Sequence, residues 1–248
     1  MDVFTNFSIN ISITSLNGNI FSMLQGFGMM CDFNTSYYVV DYTGNKIYTL
    51  DDNYKYVSMT TFTSPTYMTN VNSSLYIAGQ SNIWKTDKYL NILMVYTESG
   101  AKYRGIYYDS TENLLYLPPI VYTYFQAFDL NLNLNYTVSV SPKNPRSLAK
   151  YNNEIYVGTT SGSVLVVANK IVIRSFTACS SGSISSIVFD ENGLMAISCE
   201  SINLVNLYSY NGTFTGKSLT IPANPTYLGF DSKGHFVVIS KTQISVYY

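Results

Sequence analysis

Residues 227–248, YLGFDSKGHFVVISKTQISVYY, decide how the rest of the chain is read. Three short runs rich in β-branched and aromatic residues are separated by turn signals, first Asp231 to Gly234 and then Ser240 to Gln243. Runs of this length and composition, bounded in this way, are strands. Earlier copies of the pattern run on into a fourth strand, whereas this last copy has three. Its third strand is therefore expected to need a partner from elsewhere in the chain, because an open edge invites pairing.

Working upstream, the second strand of each copy aligns as YYVV at 37–40, LYIA at 75–78, LYL at 115–117, IYVG at 155–158, LMAI at 194–197 and HFVV at 235–238. Counted from Tyr38 through Tyr76, Tyr116, Tyr156 and Met195 to Phe236, the steps are 38, 40, 40, 39 and 41 residues. A near-constant period of this size marks a stacked repeat. Third strands follow at 46–51, 82–87, 124–129, 164–169 and 206–211, each ending in Asp or Asn, and more polar fourth strands at 56–62, 92–97, 136–141, 171–176 and 216–221. Four antiparallel strands per 40 residues is a propeller blade. Pro65, Pro145 and Pro225 lie 80 residues apart at the start of first strands, where a ladder has not begun, and hint at a two-blade super-repeat. Residues 5–15 (TNFSINISITS) alternate apolar and polar side chains with period two. We expect an all-β, six-bladed β-propeller of four-stranded antiparallel blades, a single domain over 1–248. Its ring is closed by the N-terminal strand 5–15 completing the last blade, 224–248.

The element IVFDENGLMAIS at 187–198, repeated as LGFDSKGHFVVIS at 228–240, reads strand–Asp–turn–Gly–strand. It resembles the NHL-type six-bladed propellers, over essentially the whole chain. No Trp-Asp pair of the WD40 kind closes the third strands, and the Tyr-Trp-Thr-Asp motif of the low-density-lipoprotein-receptor propellers is absent. The resemblance brings two enzyme classes into view. Amidating lyases need several metal-binding histidines, and this chain has one, His235. Lactonase relatives hold calcium through channel carboxylates and Asn. Here the channel-lining first strands read 29–30, 67–68, 104–106, 146–148, 185–187 and 226–228, with no carboxylate among them. We expect no catalytic residues, no metal and no cofactor, with a lactonase-like hydrolase carrying an unrecognised channel site as one alternative.

Bulk properties narrow the partners. Net charge is −1, charged residues are 12%, hydrophobic ones 46%, and 24 residues are Tyr. Without a basic balance, nucleic acid is not an expected partner. No apolar run approaches the roughly 18 residues of a membrane span. The first ten residues, MDVFTNFSIN, lack the basic start and apolar core of a signal peptide. The Asn-, Ser-, Thr- and Tyr-rich, lysine-poor composition leads us to expect an extracellular protein whose signal is not in this sequence. Sequons at Asn6, Asn10, Asn34, Asn72, Asn135 and Asn211 are candidate glycosylation sites, although this composition yields about as many by chance. Cys179, in the loop into blade five, and Cys199, ending that blade's second strand, are a candidate disulfide. Cys31 reads as a small core residue.

Charge placement supplies the remaining signal. In a four-stranded blade the loops into first strands share one face with the 2–3 turns, and the other turns share the opposite face. Lys102, Arg104, Lys143 and Arg146 cluster on the first face as a candidate binding patch. Asp51, Asp52, Asp87, Asp109, Glu112, Asp129, Glu154, Asp190, Glu191 and Asp231, ten of the 15 acids, fall on the other. Asp is also good turn chemistry, which alone accounts for that bias. We expect a non-catalytic extracellular interaction module that binds a protein or glycan and self-associates, head to tail or by strand swapping. Its strong form is a structural subunit of a head-to-tail extracellular filament, since a heterologous contact that does not close makes fibres.

Overall fold

The computed structural model describes residues 9–13, 15–16, 19–20, 30–33, 36–241 and 243–247, with side chains from residue 36 onward. Six four-stranded antiparallel sheets make a six-bladed propeller, and a two-residue hairpin (Ser15–Leu16 with Asn19–Ile20) stands apart. Blades one to six occupy 30–61, 65–97, 107–139, 145–177, 184–220 and 225–247. The single helical turn among the described residues is Glu200–Ile202, and no helix there is long and apolar enough to cross a membrane.

The blades stack because their inner strands are apolar on both faces. Successive side chains of a strand point to opposite sides. In the second strand of blade one, Ser36–Asp41, Tyr37 and Val39 pack on blade six, while Tyr38 and Val40 pack on blade two. The same alternation gives six separate hydrophobic clusters, one between each pair of neighbouring blades. Outer strands lie at the rim and are largely exposed, as in Ile92–Thr97 and Ile171–Thr177.

The repeated tyrosine of the second strands has a specific task. Tyr38, Tyr76 and Tyr156 each donate their hydroxyl to a backbone carbonyl in the 3–4 turn of the next blade: Lys88 at 2.7 Å, Leu130 at 2.8 Å and Tyr210 at 2.8 Å. The body of the ring fills the inter-blade core while its polar tip satisfies a turn carbonyl. In blade three Tyr116 reaches the Tyr136 hydroxyl instead, at 3.1 Å. Blades five and six place Met195 and Phe236 there and rely on packing alone.

Turn chemistry repeats as well. Asp51, Asp87, Asp129, Asp190 and Asp231 each accept the backbone N–H groups two and four residues on, at 2.8–2.9 Å. Asp109 accepts from Thr111 N–H at 2.9 Å. In the 1–2 turns Gly193 and Gly234 supply the left-handed residue (φ 80° and 81°), and a Cβ on Gly193 would fall 2.6 Å from the Tyr151 ring. The 3–4 turns of blades one to three do this differently. Tyr54, Leu90 and Leu132 adopt φ of 60–66° while buried, so apolar burial holds a conformation that their Cβ atoms disfavour.

Most strands lie where the periodicity places them, and Pro65, Pro145 and Pro225 each open a first strand. Several boundaries differ, among them the fourth strand expected over 216–221, which is Phe214–Thr220. The first strand of blade three is only Tyr107–Asp109, because Pro118 and Pro119 cannot donate to it; Tyr103 and Pro119 make an isolated bridge instead. Asn206, read as the start of a third strand, lies inside Leu204–Ser209, its amide satisfied by the Ala178 carbonyl at 3.1 Å and the Ser218 hydroxyl at 2.7 Å. The fourth strand expected over 136–141 is Leu134–Ser139.

Ring closure is observed. Ile9–Ile13 pairs antiparallel with Ile244–Tyr247, so blade six is ordered N-terminal strand, third, second, first. Residues 5–8 and 14 of the expected closing strand lie outside the described residues, as do Asn6, Met29 and Asn34. Ser15, expected in that strand, belongs to the small hairpin. The seam between blades six and one has a second bolt. Tyr54 stacks on Tyr37 with centroids 4.6 Å apart and donates to Asp231 Oδ2 at 2.6 Å, and His235 Nδ1 lies 2.8 Å from the same oxygen. Burial alone would raise the Asp231 carboxyl, but the Tyr54 hydroxyl and the His235 backbone and ring outweigh it and hold it below the ordinary carboxylate range.

Removing residues 1–14 strips the closing strand and is expected to lower Tm by on the order of 10 °C in a thermal melt. Asp231→Asn keeps the backbone acceptor but cannot accept from both Tyr54 and His235; the expected cost is about 2–3 kcal/mol by denaturant titration. Because Asp231 has its pKa lowered on folding, its contribution is present above the unfolded value and lost as pH falls through the folded one. Stability should therefore fall below about pH 4, and less steeply in the Asn variant.

Candidate functional site

The channel runs between the first strands, and its mouth lies on the face that carries the 2–3 turns. One residue from each blade meets there: Tyr42, Gln80, Arg104, Arg146, Glu200 and Lys241. Tyr42, Gln80, Glu200 and Lys241 each immediately follow the second strand of their blade, while Arg104 and Arg146 lie at the start of blades three and four. Gln80 donates its amide to the Tyr42 hydroxyl, and the Arg104 guanidinium lies 4.6 Å from the Tyr42 ring centroid. Burial draws the Arg104 pKa down, with Arg146 adding to the effect and Tyr42 opposing it.

Arg146 pairs with Glu200 Oε2 at 2.5 Å and also donates to Ser183 Oγ, which itself donates to Glu200 Oε2 at 3.2 Å. Lys241 Nζ lies 3.8 Å from the other Glu200 oxygen. Both Arg146 and Glu200 are nearly buried, at 11% and 12% side-chain exposure. Lys143 donates to Ser161 Oγ at 3.3 Å and Lys102 is exposed, on the rim of the mouth. The four sequence-predicted residues thus divide. Arg104 and Arg146 line the mouth, and Lys102 and Lys143 flank it.

Tyr67 forms the floor. From blade two it crosses the channel and donates its hydroxyl to the carbonyls of Ser185 and Thr226, both at 2.8 Å, in blades five and six. Its side chain is buried, and burial first, then the nearby charges of Arg146, Glu200 and Arg104, act on its pKa, which is raised. Beyond Tyr67 the channel opens on the other face into a cavity of about 490 Å³, lined by Tyr107, Ser147, Lys150, Phe189, Tyr227 and Phe230 among others. Lys150 there bonds the buried Asp109 of blade three and lies 3.7 Å from Glu112.

Cys179 and Cys199 are joined by a disulfide, Cα atoms 5.5 Å apart. It ties the loop into blade five to the residue before Glu200, and so holds one wall of the mouth. Of the sequons, Asn72, Asn135 and Asn211 are exposed; Asn10 lies in the closing strand. The acidic turns form less of a free charged face than their number implies. Asp109, Asp190 and Asp231 are buried, and Asp51, Asp87, Asp109, Asp129, Asp190 and Asp231 all accept backbone N–H groups, whereas Asp52 accepts from the Asn53 side chain. Among the described residues no three His, Cys, Asp or Glu side chains converge.

Sequence reasoning missed Tyr42, Gln80, Glu200 and Lys241. The signal was present in part: each lies two or three residues past the aligned columns, directly after the observed second strand of its blade. Searching only first strands for carboxylates overlooked Glu200. No known protein family matches the chain, and no curated protein is similar to it.

Glu200→Ala leaves Arg146 nearly buried without its carboxylate; the expected loss is about 3–5 kcal/mol by denaturant titration. Arg146→Met with Glu200→Leu should recover most of it, since an apolar pair needs no counter-charge.

Proposed function

We propose that the chain is a non-catalytic, NHL-like extracellular interaction module whose channel mouth receives an acidic group of a protein or glycan partner, and which self-associates. The observation that carries the reading is the charge balance of the mouth. Five cations, Lys102, Arg104, Lys143, Arg146 and Lys241, line or flank a mouth whose ring holds one carboxylate, Glu200, paired with Arg146 and Lys241. A concave mouth with a surplus of one sign focuses its field on ligands of the other. The floor is closed by Tyr67, so an acidic group is met by Arg104 and the rim lysines, with Tyr42 and Gln80 offering neutral hydrogen bonds beside it.

Three further features support the reading. Disulfides persist in oxidising compartments, which favours an extracellular setting, and three exposed sequons agree with it. The Asp–turn–Gly elements at 190–193 and 231–234 favour the NHL-like kinship. Against catalysis stands the state of the candidate groups: Glu200 is held by two cations, and His235 is on the far face, bonded to Asp231.

The test is an array of sialylated, uronate-containing, sulfated and neutral glycans, followed by titration of the best binder at several salt concentrations. Acidic glycans are expected to bind and to weaken as salt rises. Lys102→Glu with Lys143→Glu should weaken binding at least about tenfold, with Tm unchanged because neither lysine is buried. Arg146 is the wrong residue to reverse, since a Glu there would face Glu200 and test folding instead. Equal binding by the double variant, or a preference for neutral glycans, overturns the reading.

A further inference from the structure

The outer strand of each blade has a backbone edge with no neighbour in its sheet, and such edges are ordinarily protected by charge, glycine, bulges or bulky groups. Four of the outer strands carry a charge, a glycine or a sequon. That of blade three contains the sequon Asn135, and that of blade four contains Arg174, paired with Glu154 at 2.7 Å. Blade five has Gly216 at φ 80° followed by Lys217, and the closing strand of blade six contains the sequon Asn10. In blade one the strand is half Ser and Thr. Blade two differs. Its outer strand, Ile92–Thr97 (ILMVYT), has no charge, proline, glycine or sequon, and carries only the bulge at Leu93 where its register shifts, as other outer strands do. Ile92, Leu93, Met94 and Val95 are 54%, 55%, 40% and 50% exposed in succession, so both faces of the strand meet solvent.

The phase of the ladder identifies which backbone groups are on offer. Glu98 N–H donates to the Ser81 carbonyl at 2.9 Å, and Ile83 lies opposite Tyr96, Trp84 opposite Val95 and Lys85 opposite Met94. Antiparallel pairs alternate between bonded and non-bonded. The peptide groups of Met94, Tyr96 and Glu98 therefore point into the blade, and those of Val95 and Thr97 point out. A second copy of the same edge, laid antiparallel, presents the same two residues. Val95 of each strand then exchanges both N–H···O bonds with Thr97 of the other, four bonds about a two-fold axis at Tyr96. In this register Tyr96 faces Tyr96 of the second copy, and no two like charges come opposite one another. Glu98 of each copy falls in the cross-strand row of Met94 and Lys85 of the other, on the same sheet face and about 10 Å from Lys85 at ordinary strand spacing.

From this self-complementarity we propose that blade two mediates homodimerisation by edge-to-edge pairing of Ile92–Thr97. The pairing consumes both edges and closes at two copies. It buries one strand and its flanking side chains, well short of the roughly 2,000 Å² of obligate dimers, so the dimer is concentration-dependent. This gives a surface to the self-association in the function proposed above, and it does not involve the channel mouth.

Sedimentation over a concentration series tests it with two variants. Val95→Pro removes an outward N–H that the blade does not use, and Val95→Lys adds a charge to the edge. The wild type is expected to dimerise, and each variant to raise the dissociation constant at least about tenfold with unchanged circular dichroism and retained acidic-glycan binding. If the proline variant loses its fold, the lysine variant decides. Dimers of undiminished affinity in a folded Val95→Lys protein overturn this surface and leave self-association standing. A wild type that stays monomeric at every concentration overturns both.

Discussion

Each inner strand of this propeller is apolar on both faces, so no blade buries its core without both neighbours. Six inter-blade clusters, and no common centre, hold the molecule together. The geometry makes stability a property of the closed ring. The junction of blades six and one therefore governs the other five, and two kinds of interaction meet there: a strand from the start of the chain and the Tyr54–Asp231 bolt. The high tyrosine content follows from the same constraint. A phenol is large enough to fill the gap between sheets and long enough for its hydroxyl to reach a turn carbonyl of the next blade.

Turn carboxylates are the second economy of the fold. An Asp at the end of a strand accepts the N–H groups that the turn would otherwise leave bare, and the device recurs in blade after blade. Its effect on electrostatics is to occupy the acids on one face with their own backbone. The mouth on the other face is different, because its charges come from long side chains that pair with one another, as Arg146 and Lys241 do with Glu200. The smaller set of charges at the mouth thus leaves a surplus, while the larger set of turn aspartates is mostly tied to its own backbone.

Much of this was legible in the sequence, for identifiable reasons. The period was visible because every blade needs the same apolar second strand, and the anchor at Tyr38, Tyr76 and Tyr156 turned out to be the inter-blade bolt itself, while Tyr116 bonds Tyr136 within its own blade. Prolines marked first strands because the ladder there has no donor to lose. Boundaries slipped where a polar residue is satisfied internally, as at Asn206, or where proline cuts pairing short, as at Pro118 and Pro119. The left-handed Tyr54, Leu90 and Leu132 were not legible, since nothing local distinguishes them from ordinary apolar residues. A third of the channel-mouth ring, Arg104 and Arg146, was found through charge alone. Glu200 and Lys241 were missed because charge on a 2–3 turn looks like solvated surface until the ring brings six such turns together.

Tyr67 gives the molecule a septum. With its hydroxyl anchored across the axis to Ser185 and Thr226, the central passage is two blind recesses back to back. Among the described residues the Tyr67 ring stands between the charged mouth and the recess lined by Phe189, Tyr227 and Phe230. A guest in the aromatic recess and a guest at the charged mouth share a wall but not a route. Each recess is thus approached from its own side of the disc.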